Sequence, residues 1–329
     1  MYKEFFHLSR NPFDLTPDPT CFVPTKWHNE ALVALHYGIR RHKGFVVLTG
    51  EVGTGKTLLL RCLIGMLKES PDVSYAYLFN GRLSPNEFLQ YILSDFGLPT
   101  SGKNKSDLLF DLGQFLIARG SRKMTTVLIV DEAHLLSSDL LEEVRLLSNL
   151  ETDDDKLLQI VLVGQPELNE KLDSVGLRQL KQRIAVRTQL GSLDAEETNR
   201  YIHQRLQIAG GSSDSNPLFP EQTLAAVYRH SRGLPRLINT ICENALIAAY
   251  ARRLPSVSPG IIEDVAKEFR LDVVCSAEAE GARSSDQLDL RRVTSLLNYL
   301  YAALQRPVAG DSDLGAELAV EASKHEPYI

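Results

Sequence analysis

Eight residues, Gly50-Glu51-Val52-Gly53-Thr54-Gly55-Lys56-Thr57, restrict the fold of this chain more than any other segment. They sit between Phe45-Val46-Val47-Leu48-Thr49, a short β-rich run, and Leu58 to Leu67, a helix-like run with apolar residues nearly all round. Strand, Gly-rich turn and helix in that order form a phosphate-binding loop. Glycines at 50, 53 and 55 let successive backbone N–H groups turn toward phosphate oxygens, and the helix adds its positive N-terminal dipole. Lys56 is expected to reach the β/γ oxygens, the Thr57 hydroxyl to hold Mg²⁺, and Leu58 to complete the cradle. The loop predicts a bound nucleoside triphosphate and is silent about what the energy drives.

The rest of the chain frames that loop. Its 329 residues are enough for two or three compact units. A net charge of −6 argues against a globally basic nucleic-acid binder. Cys21, Cys62, Cys242 and Cys275 are widely spaced and form no C-x-x-C pair, which fits a reduced, cytoplasmic protein better than a disulfide scaffold or zinc site. The first residues carry an acid, Glu4, and no long apolar core, so no secretory signal is expected. No charge-free apolar run reaches the 18 residues of a membrane span, Ile238 to Tyr250 being interrupted by Glu243 and Asn244.

Hydrophobic patterning divides the chain. Residues 1–25, with Pro12, Pro17, Pro19 and Pro24, read as an ordered extended arm. Residues 26–193 alternate strands and helices. Helices are expected at Lys26–His42, Leu58–Leu67, Pro85–Phe96, Lys103–Arg119 and Leu140–Leu150. Strands are expected at Phe45–Thr49, Val73–Phe79, Thr126–Val130, Leu158–Val163 and Ile184–Gln189. Several are apolar throughout, which predicts a parallel sheet covered on both faces, an α/β fold. From about Asp194 strand signals stop, and 194–275 reads as four helices: Ala195–Ala209, Glu221–Ser231, Arg236–Arg253 and Pro259–Leu271. In 276–329 a linker (276–286) leads to an amphipathic helix, Leu288–Gln305, and a tail expected to be disordered.

Two further motifs complete a site. Val127-Leu128-Ile129-Val130-Asp131-Glu132 is a Walker B pattern, an apolar strand delivering two carboxylates to the sheet edge where ligands of parallel α/β sheets bind. Asp131 is assigned to Mg²⁺ and Glu132 to orienting and polarising the attacking water. Gln165, after the fourth strand, is the candidate sensor of nucleotide state. The basic run before the fifth strand offers Arg183, and secondly Arg178, as an arginine acting on a neighbouring subunit's nucleotide. Gly233-Leu234-Pro235-Arg236 opens a helix from which Arg236 would reach back to the phosphates. Asp131-Glu132-Ala133-His134 also spells the box of DEAH helicases, and Asp95-Phe96-Gly97 a kinase triplet. The first lacks a second RecA-like lobe and the second lacks a His-Arg-Asp, so both are set aside.

This order of motifs, over about residues 26–271, resembles the AAA+ ATPases: a P-loop parallel sheet core with an all-helical lid. More narrowly, six segments resemble the ExeA/GspA-like ATPases of type II secretion and exopolysaccharide loci. They are Asn11-Pro12-Phe13, Pro17-Asp18-Pro19, Gly44-Phe45, Val130-Asp131-Glu132-Ala133-His134, Gly164-Gln165-Pro166-Glu167-Leu168 and Gly233-Leu234-Pro235-Arg236. The resemblance implies ATP hydrolysis with Mg²⁺ in a ring or filament of identical subunits, at the inner face of the envelope. It also implies a protein partner of a secretion or envelope system, which the 288–305 helix either docks or leaves alone by packing back on its own lid. The chain is expected to depart from secretion members in lacking a transmembrane helix and a periplasmic peptidoglycan-binding domain after the ATPase, so the resemblance carries over the ATPase and not the peptidoglycan and secretin-assembly role. A second resemblance, to AAA+ regulators of DNA transposition, makes duplex DNA the alternative partner. His36, Arg40, Arg41, His42 and Lys43, with Arg119, Arg122 and Lys123, are its candidate phosphate contacts.

Overall fold

A computed structural model describes residues 1–16, 18–79, 83–152, 155–211 and 217–271. In chain order these form α1 (Tyr2–Phe5), α2 (Lys26–Arg40), β1 (Phe45–Gly50), α3 (Lys56–Lys68), β2 (Val73–Leu78), α4 (Pro85–Asp95), α5 (Lys105–Gly120), β3 (Thr125–Val130), α6 (Ser138–Leu147), β4 (Gln159–Gly164), α7 (Glu167–Leu172), α8 (Arg178–Gln182), β5 (Ile184–Leu190), α9 (Ala195–Ile208), α10 (Glu221–Ser231), α11 (Pro235–Ala251) and α12 (Pro259–Glu268). The linker, the 288–305 helix and the tail expected from sequence lie outside the described residues, as does most of Asp153-Asp154-Asp155.

The five strands pair in parallel in the order β2-β3-β4-β1-β5. The three inner strands are buried at every position because helices cover both faces. Side chains alternate between those faces. Val46, Leu48, Val127, Ile129, Val161 and Val163 meet Ala31 and Leu35 of α2 and Leu59, Leu60 and Leu63 of α3. Phe45, Val47, Leu128, Val130, Ile160 and Leu162 point the other way, toward Phe88 and Leu89 of α4, Leu112 of α5 and Leu140 and Leu141 of α6. A one-residue slip of β3 would exchange these sets, so burial fixes its register. The helices start on local signals: Ser84, Asn104 and Asp194 each build a capping box, and Thr25 and Ser137 cap α2 and α6.

A second core joins α9 to α12 through Ile202, Val227, Ile238, Ile241, Leu246, Ile261 and Ile262. The N-terminal segment packs into it and carries two short helical turns. Its first residues precede every proline, so Tyr2–Phe5 coils into one helical turn, and Tyr2 donates its hydroxyl to Glu243 of α11 at 2.8 Å. Asp18 caps a 3₁₀ turn at Pro19–Cys21 by accepting from the Thr20 N–H at 2.9 Å. Phe13 is fully buried, edge-on to Phe219 at 5.8 Å. The buried Arg205 of α9 donates to three carbonyls of the arm, those of Pro12 (2.6 Å), Cys21 (2.9 Å) and Asp14 (3.2 Å). Sheet layer, lid helices and arm lie in one compact unit.

Three of the eight basic residues named as DNA contacts are engaged within the chain. Arg40 bonds Asp72 and Ser70, His42 bonds Asp155 and Thr125, and Arg119 bonds Thr126 and the carbonyls of Asp72 and Thr125. Asp95 likewise has a local role, accepting the Tyr77 N–H at 2.6 Å where α4 ends against β2. Among the described residues no helix is long and apolar enough to cross a membrane.

Candidate nucleotide site

The loop after β1 is held from below. The Thr54 hydroxyl donates to the Glu51 carbonyl at 2.9 Å, and Gly53 and Gly55 take φ of 86° and 98°, a left-handed region that side chains resist. Lys56, the first residue of α3, is buried, and its ammonium donates to the Gly50 and Glu51 carbonyls at 2.6 and 2.9 Å. Burial lowers its pKa from the ordinary lysine value, and the carboxylates of Glu132, Asp131, Glu51 and Glu167 oppose that shift.

β3 delivers Asp131 and Glu132 beside this loop. Asp131 is buried with both oxygens engaged, Oδ2 by the Tyr77 hydroxyl (2.8 Å) and Oδ1 by the Glu132 N–H (2.9 Å). Burial and the Asp131 charge together push the Tyr77 phenol well above its usual range, so Tyr77 stays the donor. Glu132 takes a left-handed backbone, φ 51°. Its Oε2 is enclosed without a hydrogen bond, 3.4 Å from His134 Nδ1. That nitrogen faces the Gln165 N–H at 3.4 Å and so presents a lone pair, which explains why the carboxylate gains no bond from it. His134 thus stands beside both residues and, of the two, bonds only the Gln165 backbone.

The lid closes the other side. The Arg236 N–H, in the first turn of α11, donates to the Gly53 carbonyl at 3.1 Å, and a Cβ on Gly53 would come within 2.8 Å of Arg236 Cβ. Gly233 makes this approach: its carbonyl accepts the Leu193 N–H at 2.9 Å, and a side chain there would strike the Leu193 carbonyl oxygen. Between loop, sheet edge and lid lies a cavity of about 380 Å³. Val52, Gly53, Gly55, Lys56, Thr57 and Leu58 line one wall, Glu132 and Gln165 the next, and Arg236 the roof.

Some expected residues stand elsewhere. Gly50, Glu51 and Thr54 shape the loop without lining the cavity, and Asp131 sits behind Glu132. Arg183 is outside this wall: its guanidinium donates to Ser148 Oγ at 2.6 Å, at the end of α6. Arg178 is exposed at the start of α8. Sequence reasoning missed the arm residues Asp14, Leu15, Thr16 and Asp18, and the lid residues Tyr201, Arg205 and Asn239, all of which line the cavity. The available signal was Asn11-Pro12-Phe13 and Pro17-Asp18-Pro19, two rigid segments with no site assigned to them.

No group of three or more His, Cys, Asp or Glu able to hold a metal ion occurs among the described residues. A magnesium ion does not need one, since it is ordinarily held by one or two protein oxygens, substrate phosphates and water. Thr57 in the wall and Asp131, whose two carboxylate oxygens accept one bond each and keep acceptor capacity, fit that arrangement.

Fold and site together define a P-loop protein of the AAA+ class. The AAA domain family matches residues 39–172, and solved AAA+ structures share the architecture. The ORC2 protein of Aeropyrum pernix, in ADPNP and ADP complexes, superposes with a TM-score of 0.58 at 18% identity, covering 95% of this chain and 89% of that one. Drosophila ORC bound to DNA gives 0.61 at 19% identity, covering 97% and 83%. At such identity these likenesses concern fold alone. In sequence the chain is related to general secretion pathway protein A of Aeromonas hydrophila, with 44% identity over 269 residues, 82% of this chain. It spans about half of that relative, 48% of its length.

Proposed function

We propose that this protein binds and hydrolyses ATP as one subunit of an oligomer, and that the cycle drives assembly or remodelling of a protein partner of a secretion or envelope system. The observation that carries the reading is the meeting of Lys56, Glu132, Gln165 and Arg236 on one cavity roofed by the lid. Lys56 would exchange its two loop carbonyls for phosphate oxygens. Glu132, which lines the cavity, would orient the attacking water and take its proton. Gln165, on the cavity wall with Glu132, would report which nucleotide is present. Thr57 and Asp131 would hold Mg²⁺, which neutralises charge developing on the phosphates. Arg183, outside its own subunit's cavity, would act on a neighbour's nucleotide after leaving Ser148. The relative's name, general secretion pathway protein A, supports the secretion setting. On this reading the protein would act at the cytoplasmic face of the inner membrane, reached through the partner.

The test has three arms. Lys56→Ala should lose nucleotide binding. Glu132→Gln should bind ATP and nearly stop turnover, and hydrolysis at the wild-type rate would remove Glu132 from its role. Arg183→Ala should bind ATP without hydrolysing it, and mixing with Lys56→Ala subunits should restore part of the turnover; no restoration would place the arginine in its own site.

A further inference from the structure

The phosphate loop has a support that the mechanism above does not use. His28, in the first turn of α2, is 5% exposed and bonded through both ring nitrogens. Nε2 lies 3.1 Å from the Thr54 carbonyl oxygen, and Nδ1 lies 2.7 Å from Thr25 Oγ1. A carbonyl only accepts, so the proton is on Nε2, and Nδ1 accepts from the Thr25 hydroxyl. Thr25 also caps α2, taking the His28 N–H at 3.4 Å. Phe22 packs edge-on to the ring at 5.4 Å, and on the loop side Nε2 would sit 2.8 Å from a Cβ placed on Gly55.

We infer that His28 is the positioning residue of the phosphate loop, setting the Thr54–Gly55 peptide so that its N–H faces the nucleotide cavity. Across a planar trans peptide the C=O and the following N–H point in opposite directions. The imidazole holds the Thr54 carbonyl on the α2 side, while Gly55 lines the cavity on the other. Turning that peptide over would aim a carbonyl at the phosphates in place of a donor, and would leave a buried donor on His28 without its acceptor. The Gly55 position therefore needs glycine twice, for its φ of 98° and for the imidazole against its α-carbon. Thr25 is the last residue of the arm, whose Val23 lies in the lid core, so the support ties the loop to the lid-packed segment.

The inference rests on the loop taking a nucleoside polyphosphate, and the experiment separates the two. ADP, ATP and AMP are titrated against wild type, His28→Leu, His28→Gln and Thr25→Val by competition with a fluorescent ADP analogue, with melting temperatures and hydrolysis kinetics alongside. His28→Leu should weaken ADP and ATP by about tenfold, the scale of one amide–phosphate hydrogen bond, and leave AMP unchanged. His28→Gln, whose amide can donate to the same carbonyl, should recover most of the loss. In hydrolysis kcat/KM should fall further than kcat. Thr25→Val, which leaves the ring in place without its orienting hydroxyl, should give a smaller loss of the same pattern, and it decides the matter if His28→Leu does not fold. ADP binding unchanged in folded His28→Leu or in Thr25→Val, an equal loss for AMP, or Gln no better than Leu would overturn the assignment. Wild type that binds neither ADP nor ATP would instead overturn the nucleotide reading itself.

Discussion

Replacing Arg205 by Met should release the N-terminal arm, and the structure sets the size of the effect. The guanidinium donates to three carbonyls, but those of Pro12 and Cys21 are buried while the contact with Asp14 is only partly so. Methionine keeps the apolar stem and removes every donor. Water can then reach the Asp14 carbonyl, whereas the other two lose their partner inside the protein, at roughly 1.5–2 kcal/mol each. The expected destabilisation is therefore about 3–4 kcal/mol, well beyond an ordinary surface change. For a unit of this size that lowers the melting temperature by roughly 10 °C. Arg205→Lys, with one ammonium for two buried acceptors, should recover about half of the loss. Hydrogen exchange supplies the local readout: the Ser9 amide, bonded to the Ala209 carbonyl at 2.7 Å, should lose protection before any amide of β1, β3 or β4. A melting temperature within about 2 °C of wild type, or loss of protection in sheet and arm together, would refute the argument.

Two further outcomes are expected. Gly233→Ala places a Cβ 1.8 Å from the Leu193 carbonyl oxygen at φ 72°, so backbone must move; a loss of about 3 kcal/mol or more should show in urea unfolding, with weaker nucleotide binding as the start of α11 shifts, and an unchanged midpoint would refute the close approach. Burial depresses the pKa values of His28 and His36, the latter aided by Arg40, so the unfolded chain takes up protons first as pH falls. Their contribution is complete above the ordinary histidine pKa of about 6.5 and is lost as pH falls below it. Glu243, held above its usual range by burial, works with the opposite sign. The His28→Gln/His36→Gln protein should therefore show a flatter stability profile than wild type between pH 7.5 and 5.5, measured by urea midpoints; identical profiles would sink the assignment.

Sheet and lid were legible because burial writes period and length into sequence. β3, with the apolar run Val127–Val130, read as an inner parallel strand, and the loss of such runs after Leu190 marked the change to helices. The helices α7 and α8 were not legible: six and five residues show no period, and the basic side chains of the latter read as a surface. Lys56, Thr57, Glu132 and Gln165 could be named because each follows a strand or opens a helix at a fixed offset. The arm's place could not, since long-range contacts such as Phe13 on Phe219 and Arg205 on the Asp14 carbonyl seat it, and these have no local signature. His28 was invisible for the same reason: it reads as one polar residue on a helix face until Thr54 is placed beside it.

The arm's place in the lid core also orders events in time. Arg205 bonds the carbonyl of a residue 193 positions earlier, and closing so long a loop costs about 4–5 kcal/mol of chain entropy. At ordinary synthesis rates of about 5–20 residues per second, the arm leaves the ribosome on the order of 10–40 seconds before its docking helices. During that interval Tyr2, Phe6 and Phe13, which end against the lid, have nothing to pack on. The arm, made well before its partners, is thus among the last segments to be seated, and the nucleotide cavity it helps to wall closes only when α9 to α12 have folded.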